Sequence, residues 1–232
     1  MSIEHIKKPL VAVDTVIFTV KDNDLYTLVI KRLHEPFKNQ WTLVGGFIDI
    51  DKDESIEDTA KRKLAEKTGV LTPYVEQVET IGNATRDPRG WSMTTAYFAL
   101  ISSDNIELKS MKGAVDTKWT KISGNGISEK LAYDHEQILT NCLERLRSKV
   151  LYTTLPAYLL PDEFTISEMQ KIYEIILGKV IDRKSFQRRM FKAGILEETG
   201  EMKESGRRPA KLYRLKEKNY THYFLRNIEG AQ

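Results

Sequence analysis

Apolar and polar positions change their period several times along the chain. Residues 9–20 (PLVAVDTVIFTV) and 25–32 (LYTLVIKR) are β-branched runs on either side of the polar stretch KDND, the pattern of a hairpin. Residues 41–47 (WTLVGGF) form a short apolar run closed by a glycine pair. Over 54–68 (ESIEDTAKRKLAEKT) the period becomes helical, with Ile56, Ala60, Leu64 and Thr68 on one face and Gly69 placed to end the helix. Further strands are predicted at 74–81, 93–101 and 115–122. A long amphipathic helix is predicted over 128–149, with Leu131, Ile138, Cys142 and Leu146 on one side.

Beyond this point the texture changes. The stretch LYTTLPAYLLPDEF carries two prolines and closes on an acidic turn, after which 166–177 (ISEMQKIYEIIL) is helical. A second helix opens at Asp182 (DRKSFQRRMFKAG), and 195–216 reads as two strands joined by a charged tip. Helix, helix, hairpin is the order of a winged helix-turn-helix. The expectation is two domains, 1–149 and 150–232: a larger α+β domain followed by a small winged helix.

Charge sharpens this division. Across 232 residues there are 36 Lys+Arg against 33 Asp+Glu, a balance that excludes a uniformly basic coat. From Lys149 onward, however, 16 basic residues face 11 acidic ones, so the positive charge belongs to the C-terminal third. The single cysteine, Cys142, excludes a disulfide framework or a Cys-rich metal site and reads as a buried thiol. No run of 18 uninterrupted apolar residues is present, so the expected setting is cytoplasmic, with no membrane partner.

Two segments carry chemistry. The stretch 45–70, GGFIDIDKDESIEDTAKRKLAEKTGV, resembles the Nudix box, G, five residues, E, seven residues, R-E-U-x-E-E-x-G-U with U apolar. The match falls on Glu54, Arg62, Leu64, Glu66, Gly69 and Val70. WTLVGGF, the segment TRDPRGWSMTTAYFAL and LAYDHEQIL extend the resemblance over most of 1–148, which implies a Nudix-type mixed sheet with helices, an α/β/α sandwich. In Nudix enzymes the box glutamates hold Mg²⁺ against a pyrophosphate. Here Lys63 and Lys67 stand where two of those glutamates belong, and seven residues rather than five separate Gly46 from Glu54. Two ammonium groups in place of two carboxylates repel a divalent cation, so Glu54, Arg62 and Glu66 are read as remnants of a lost hydrolytic centre, with no catalytic residue and no bound metal. A domain of this shape can still bind a nucleotide. Arg86 and Arg89 in the RDPRGW turn are the phosphate candidates, and Arg32, Trp41, Gly46 and Phe47 are candidates to line the pocket. His135 reads as a hydrogen-bonded structural histidine.

In the second domain Phe186, Met190 and Ala193 face inward while Arg183, Lys184, Gln187, Arg188, Arg189 and Lys192 crowd the rest of one helix, with Ser185 placed to offer a phosphate its amide and hydroxyl. The tip adds Arg207, Arg208 and Lys211. An exposed basic helix fits the major groove and a basic wing suits the backbone or minor groove. The whole chain resembles the NrtR family of Nudix-related transcriptional regulators, most specifically in GRRPAKLYRL together with the eroded box. The resemblance implies a homodimeric repressor of NAD biosynthesis or salvage genes that binds a palindromic double-stranded DNA operator. It implies no cofactor, and ADP-ribose or a related nucleotide as effector. Two alternatives stay open: an active ADP-ribose pyrophosphatase carrying a regulatory domain, and a sugar-responsive regulator on the same scaffold.

Overall fold

The computed structural model describes residues 7–69, 74–103, 114–204, 209–217 and 221–228. They fall into two compact units, one drawn from 1–18, 27–99 and 106–142, the other from 19–26, 100–105 and 143–232. Among the described residues no helix is long and apolar enough to cross a membrane.

The first unit is built on a seven-stranded sheet with the order β3-β2-β1-β6-β5, to which β4 is added beside β1 and β7 beside β2. The strands are β1 (Leu10–Lys21), β2 (Asp24–Arg32), β3 (Trp41–Thr42), β4 (Val44–Phe47), β5 (Tyr74–Asn83), β6 (Ser92–Leu100) and β7 (Ala114–Lys121). Their central pair is legible from composition. The consecutive apolar runs of β1 and β6 leave Val16, Ile17, Phe18, Ala96, Phe98 and Ala99 at 0% exposure, because both faces of these strands are covered. The KDND hairpin turns at Asp22 and Asn23, both at positive φ (51° and 62°), as a two-residue turn between right-twisted strands requires.

Helix α1 (Ile56–Thr68) starts at Ser55, whose hydroxyl accepts the Asp58 amide, and ends at Gly69 in the left-handed conformation. It buries Thr59, Ala60, Leu64 and Thr68, and Ala60 joins Val13 and Tyr97 in one apolar cluster. Ile56, assigned to the same face by spacing, is half-exposed.

The helix predicted over 128–149 begins only at His135, as α2 (His135–Val150). Two tertiary constraints override the periodicity. Leu131 forms a parallel bridge with Trp41, whose carbonyl takes the Ala132 amide at 2.8 Å, and Tyr133 has a φ of 57°, which no α-helix admits.

In the second unit α3 (Ile166–Leu177) carries a complete capping box: Thr165 accepts the Glu168 amide, and the Glu168 carboxylate takes the Thr165 amide at 2.7 Å. Helix α4 (Arg183–Lys192) follows after a turn pinned by Glu174, which accepts the Ile181 amide at 3.0 Å, and by Gln170, which donates to the Ile181 carbonyl at 2.9 Å. Strands β9 (Leu196–Lys203) and β10 (Ala210–Leu215) form the expected hairpin, and a two-residue strand β8 (Phe164–Thr165), too short to read from sequence, pairs with β10. Phe164, Met169, Tyr173, Ile176, Phe186 and Met190 make the core, with the Tyr173 and Phe186 rings edge-on at 5.1 Å. The chain is therefore an α+β protein: a Nudix-type sheet with helices, then a winged helix.

The antiparallel register of β1 and β4 sets Asp14 opposite Gly45. A Cβ at Gly45 would stand 2.3 Å from Asp14 Oδ1 and 2.4 Å from the Val13 carbonyl, so the backbone itself must move to admit one. Gly45→Ala is expected to lower stability by about 1–3 kcal/mol or more, the usual cost of overpacking. Urea unfolding of the variant beside the wild type checks this.

Candidate ligand cleft and nucleic-acid interface

The glycine pair of β4 opens one wall of a cleft lined by Asp14, Arg32, Gly45, Gly46, Phe47, Arg86, Asp87, Arg89, Tyr133 and His135 among others. Its floor is a buried charge network. Asn83, at the end of β5, accepts the amides of Thr85 (2.9 Å) and Arg86 (2.7 Å), turning the chain so that Arg86 points inward. The Arg86 guanidinium grips Asp134 through Nε (2.9 Å) and Nη2 (2.8 Å), and the same Nη2 lies 3.4 Å from Asp14. His135 completes the floor. Its Nδ1 accepts the Leu43 amide at 3.1 Å and meets the Thr42 hydroxyl at 2.8 Å, which leaves the ring proton on Nε2, 3.4 Å from Asp14 Oδ1. Burial pushes the Asp14 carboxyl up, but His135, the Thr94 hydroxyl and Arg86 outweigh it and bring it down to about 2.

Two further guanidiniums stand nearer the mouth. Arg89 is held by Asp87 at 2.6 Å, and its side chain is 40% exposed, resting 4.9 Å from the centre of the Phe47 ring. Arg32 lies 5.0 Å over the Tyr133 ring and donates through Nε to the Pro36 carbonyl at 2.7 Å. Phe37 meets the other side of this cluster edge-on to Tyr133 at 4.6 Å. Aromatic faces beside fixed guanidiniums suit a flat, anionic ligand.

The structure thus brings Arg32, Gly46, Phe47, Arg86 and Arg89 to one cleft, but not Trp41. The Trp41 ring lies under the ammonium groups of Lys118 (4.5 Å) and Lys31 (5.6 Å) and is not part of the cleft wall. Arg86 also differs from its reading as a phosphate ligand. Its fork is committed to two carboxylates and only 5% of the side chain is exposed, so it holds the floor together, while Arg89 is the more exposed guanidinium. Asp14, Asp87 and Tyr133 were missed by sequence reasoning. An acid inside the apolar run of β1 was the available signal for Asp14, and Tyr133 was hidden by the assumed helix.

The box remnants are arranged differently from their spacing. Arg62 pairs bidentately with Asp53 (both contacts 2.6 Å), not with Glu54, which is exposed. The Arg62 bonds hold the Asp53 carboxyl well below its ordinary range. Arg62 also reaches one oxygen of Glu66 at 3.0 Å, and Lys63 reaches the other at 3.2 Å. Among the described residues no three His, Cys, Asp or Glu side chains gather as metal ligands would. With both oxygens of Glu66 taken by cations and the adjacent ammonium of Lys63 in place, these residues do not fit a divalent ion.

In the second unit, Arg183, Lys184, Arg188 and Lys192 of α4 are exposed, and Gln187 is half-exposed. Arg183 and Gln187 line a groove with Ser167, Phe191, Lys211 and Tyr213. Lys211 pairs with Glu198 at 2.7 Å across the hairpin, a half-exposed contact of little strength. Arg207 and Arg208 lie outside the described residues. Two expectations are corrected. Ser185 does not offer its amide and hydroxyl to a phosphate, because the Asp182 carboxylate caps α4 and takes both, the amide at 2.8 Å. Arg189 is turned away from the basic face. Its guanidinium stacks 3.9 Å from the Phe224 ring centre and donates to the carbonyls of Leu151 and Arg226, and burial lowers its pKa.

A Nudix-type sheet with a charge-inverted box, followed by a winged helix with an exposed basic second helix, defines the class: a Nudix domain joined to a DNA-binding module. Comparison with known proteins agrees. Residues 8–141 match the NUDIX domain family, and residues 156–215 match the NrtR DNA-binding winged helix domain. The chain is 44% identical over 221 residues to the ADPR responsive transcriptional repressor NtrR of Acinetobacter baylyi, covering 95% of this chain and 88% of that one. It superposes on Shewanella oneidensis NrtR in complex with a 27mer DNA with a TM-score of 0.85 at 42% identity, covering 94% of this chain and 98% of that chain. It also matches the NUDIX domain of that protein complexed with ADP ribose (TM-score 0.55, 41% identity, 63% of this chain and 94% of that one). The chain belongs to the NrtR family.

Arg86→Ala leaves Asp14 and Asp134 without their cation and is expected to cost about 3–5 kcal/mol, the range for a broken buried pair. The Asp14 carboxyl sits at about 2, against 3.8 for an unperturbed Asp, so its contribution to stability is full above pH 3.8 and disappears as pH falls toward 2. Removing Arg86 raises that carboxyl, so the variant's acid unfolding moves to higher pH. Circular dichroism across an acid titration checks both. Arg188 and Arg189 separate on a second pair of measurements. Arg188→Ala is expected to keep the melting temperature and weaken DNA binding by about 1–3 kcal/mol if it reads a base, or to lower the salt slope by about one unit if it contacts phosphate. Arg189→Ala is expected to lower the melting temperature.

Proposed function

We infer that this chain is a transcriptional repressor that binds a palindromic double-stranded operator as a homodimer through α4 and the wing, and that ADP-ribose in the cleft changes its affinity for that operator. The target genes on this reading serve NAD biosynthesis or salvage. The observation that carries the reading is the pairing within one chain of a cleft walled by Arg32, Arg86 and Arg89 with an exposed basic helix in a winged fold. The relatives described above point the same way. A phosphorylated ligand suits guanidiniums set beside aromatic rings better than a neutral sugar does, which favours the nucleotide over a sugar effector.

The same reading makes the Nudix domain a sensor rather than a hydrolase. Glu66 is shared between Arg62 and Lys63, and Arg62 is taken by Asp53, so among the described residues no cluster of three carboxylates or imidazoles gathers to bind a metal and activate water.

The test takes DNA selected by the full-length protein from a random pool and measures binding to it with and without ADP-ribose at fixed salt. The expected result is a ligand-dependent change in operator affinity, matched by an equal change in ADP-ribose affinity when operator is present. ADP-ribose at a hundredfold excess over Kd should also add about 2.7 kcal/mol of stability. AMP and ribose 5-phosphate should not accumulate with Mg²⁺. Operator affinity that ignores the ligand removes the effector, and hydrolysis at ordinary turnover restores the pyrophosphatase alternative.

A further inference from the structure

The inverted box raises the question of what neutralises a bound diphosphate where no metal fits. Lys63 is placed to do so. It lies on α1, which packs on β4, and its chain crosses the bare backbone of Gly46: a Cβ built there would stand 2.9 Å from Lys63 Cε and 3.5 Å from Nζ. Gly46 is itself part of the cleft wall, next to Phe47, over whose ring Arg89 lies. Lys63 is not itself among the residues that line the cleft, but its ammonium lies against the backbone of Gly46, which is, and a side chain at residue 46 would meet it.

The ammonium is also available. Its partner Glu66 is nearly half-exposed and already bonded to Arg62, so the 3.2 Å contact is a screened ion pair that a doubly charged anion can displace. The wall carries three guanidiniums against the carboxylates of Asp14 and Asp87, and two of those guanidiniums are bound to these acids or to Asp134. The third, Arg32, is bonded to the Pro36 carbonyl, so a diphosphate with two charges meets one guanidinium outside these pairs and gains from a second cation.

We propose that Lys63 supplies that cation, contacting the diphosphate of the nucleotide in place of a divalent metal ion, so that effector binding requires no metal. The assignment rests on the effector reading above. It gives a role to lysine, rather than a neutral residue, at position 63 of the box.

Titration calorimetry of the full-length protein tests it, with ADP-ribose and separately inorganic pyrophosphate as probes, each in EDTA and in MgCl₂. Wild-type ADP-ribose affinity is expected to agree in the two buffers to about twofold, Lys63→Gln to weaken binding about tenfold or more in both, and Lys63→Arg to keep most of it. The melting temperature of each variant reports folding, and the arginine variant preserves the charge test if the glutamine variant is unstable. Wild-type binding that depends on Mg²⁺, or a folded Lys63→Gln that binds like the wild type, overturns the assignment. If wild type binds pyrophosphate but not ADP-ribose and Lys63→Gln binds neither, the cation assignment stands and the effector reading falls. If wild type binds neither probe, both fall.

Discussion

One buried guanidinium organises the first domain. Arg86 joins the central strand β1 through Asp14, the turn after β5 through its own backbone, and the start of α2 through Asp134. Taking these charges out of water is expensive, and the arrangement is sustained only because the network is nearly closed, with two carboxylates around one fork and His135 against the remaining Asp14 oxygen. Geometry follows from that closure. Asp14 can lie on β4 only because residue 45 has no side chain, and α2 begins where it does because Tyr133, at a positive φ, is out of helical conformation at the cleft floor.

The eroded box shows how a charge pattern can be rebuilt without changing the fold. Helix α1 keeps its caps, its apolar stripe and the arginine of the box. Glu66 of the helix is shared between Arg62 and Lys63, and Asp53, just before the helix, takes the fork of Arg62, so the box acids that remain are paired with cations. The same economy recurs in α4, where one arginine of a basic cluster is spent on holding the C-terminal segment and one acid closes the helix N-terminus. Counting charges along a helix overstates how many face a partner.

Much of the architecture was legible in the chain. Apolar runs marked β1, β2 and β6 as strands, Gly69 fell at a helix end, and the polar stretch KDND marked a hairpin. The winged helix was readable because its helices carry period 3.6 with strong caps, which are local signals. Less was legible of the site. Arg32, Phe47 and Arg89 could be nominated because they neighbour the glycine loop or share the RDPR turn, whereas Trp41, equally close in sequence, points to a pair of lysines instead.

The sequence by itself determined the kind of protein this is, through periodicity, caps, the glycine pair and two lysines where glutamates belong, since these depend on neighbours within a few residues. Which charges meet was decided only by the tertiary structure. Asp53 rather than Glu54 takes Arg62, Asp14 and Asp134 close on Arg86 across 72 and 48 residues, and Arg189 turns to the carbonyls of Leu151 and Arg226. Spacing along a chain fixes which face a residue occupies, but a buried charge must be matched by whatever partner the packed fold delivers to it, and that partner has no fixed offset in sequence.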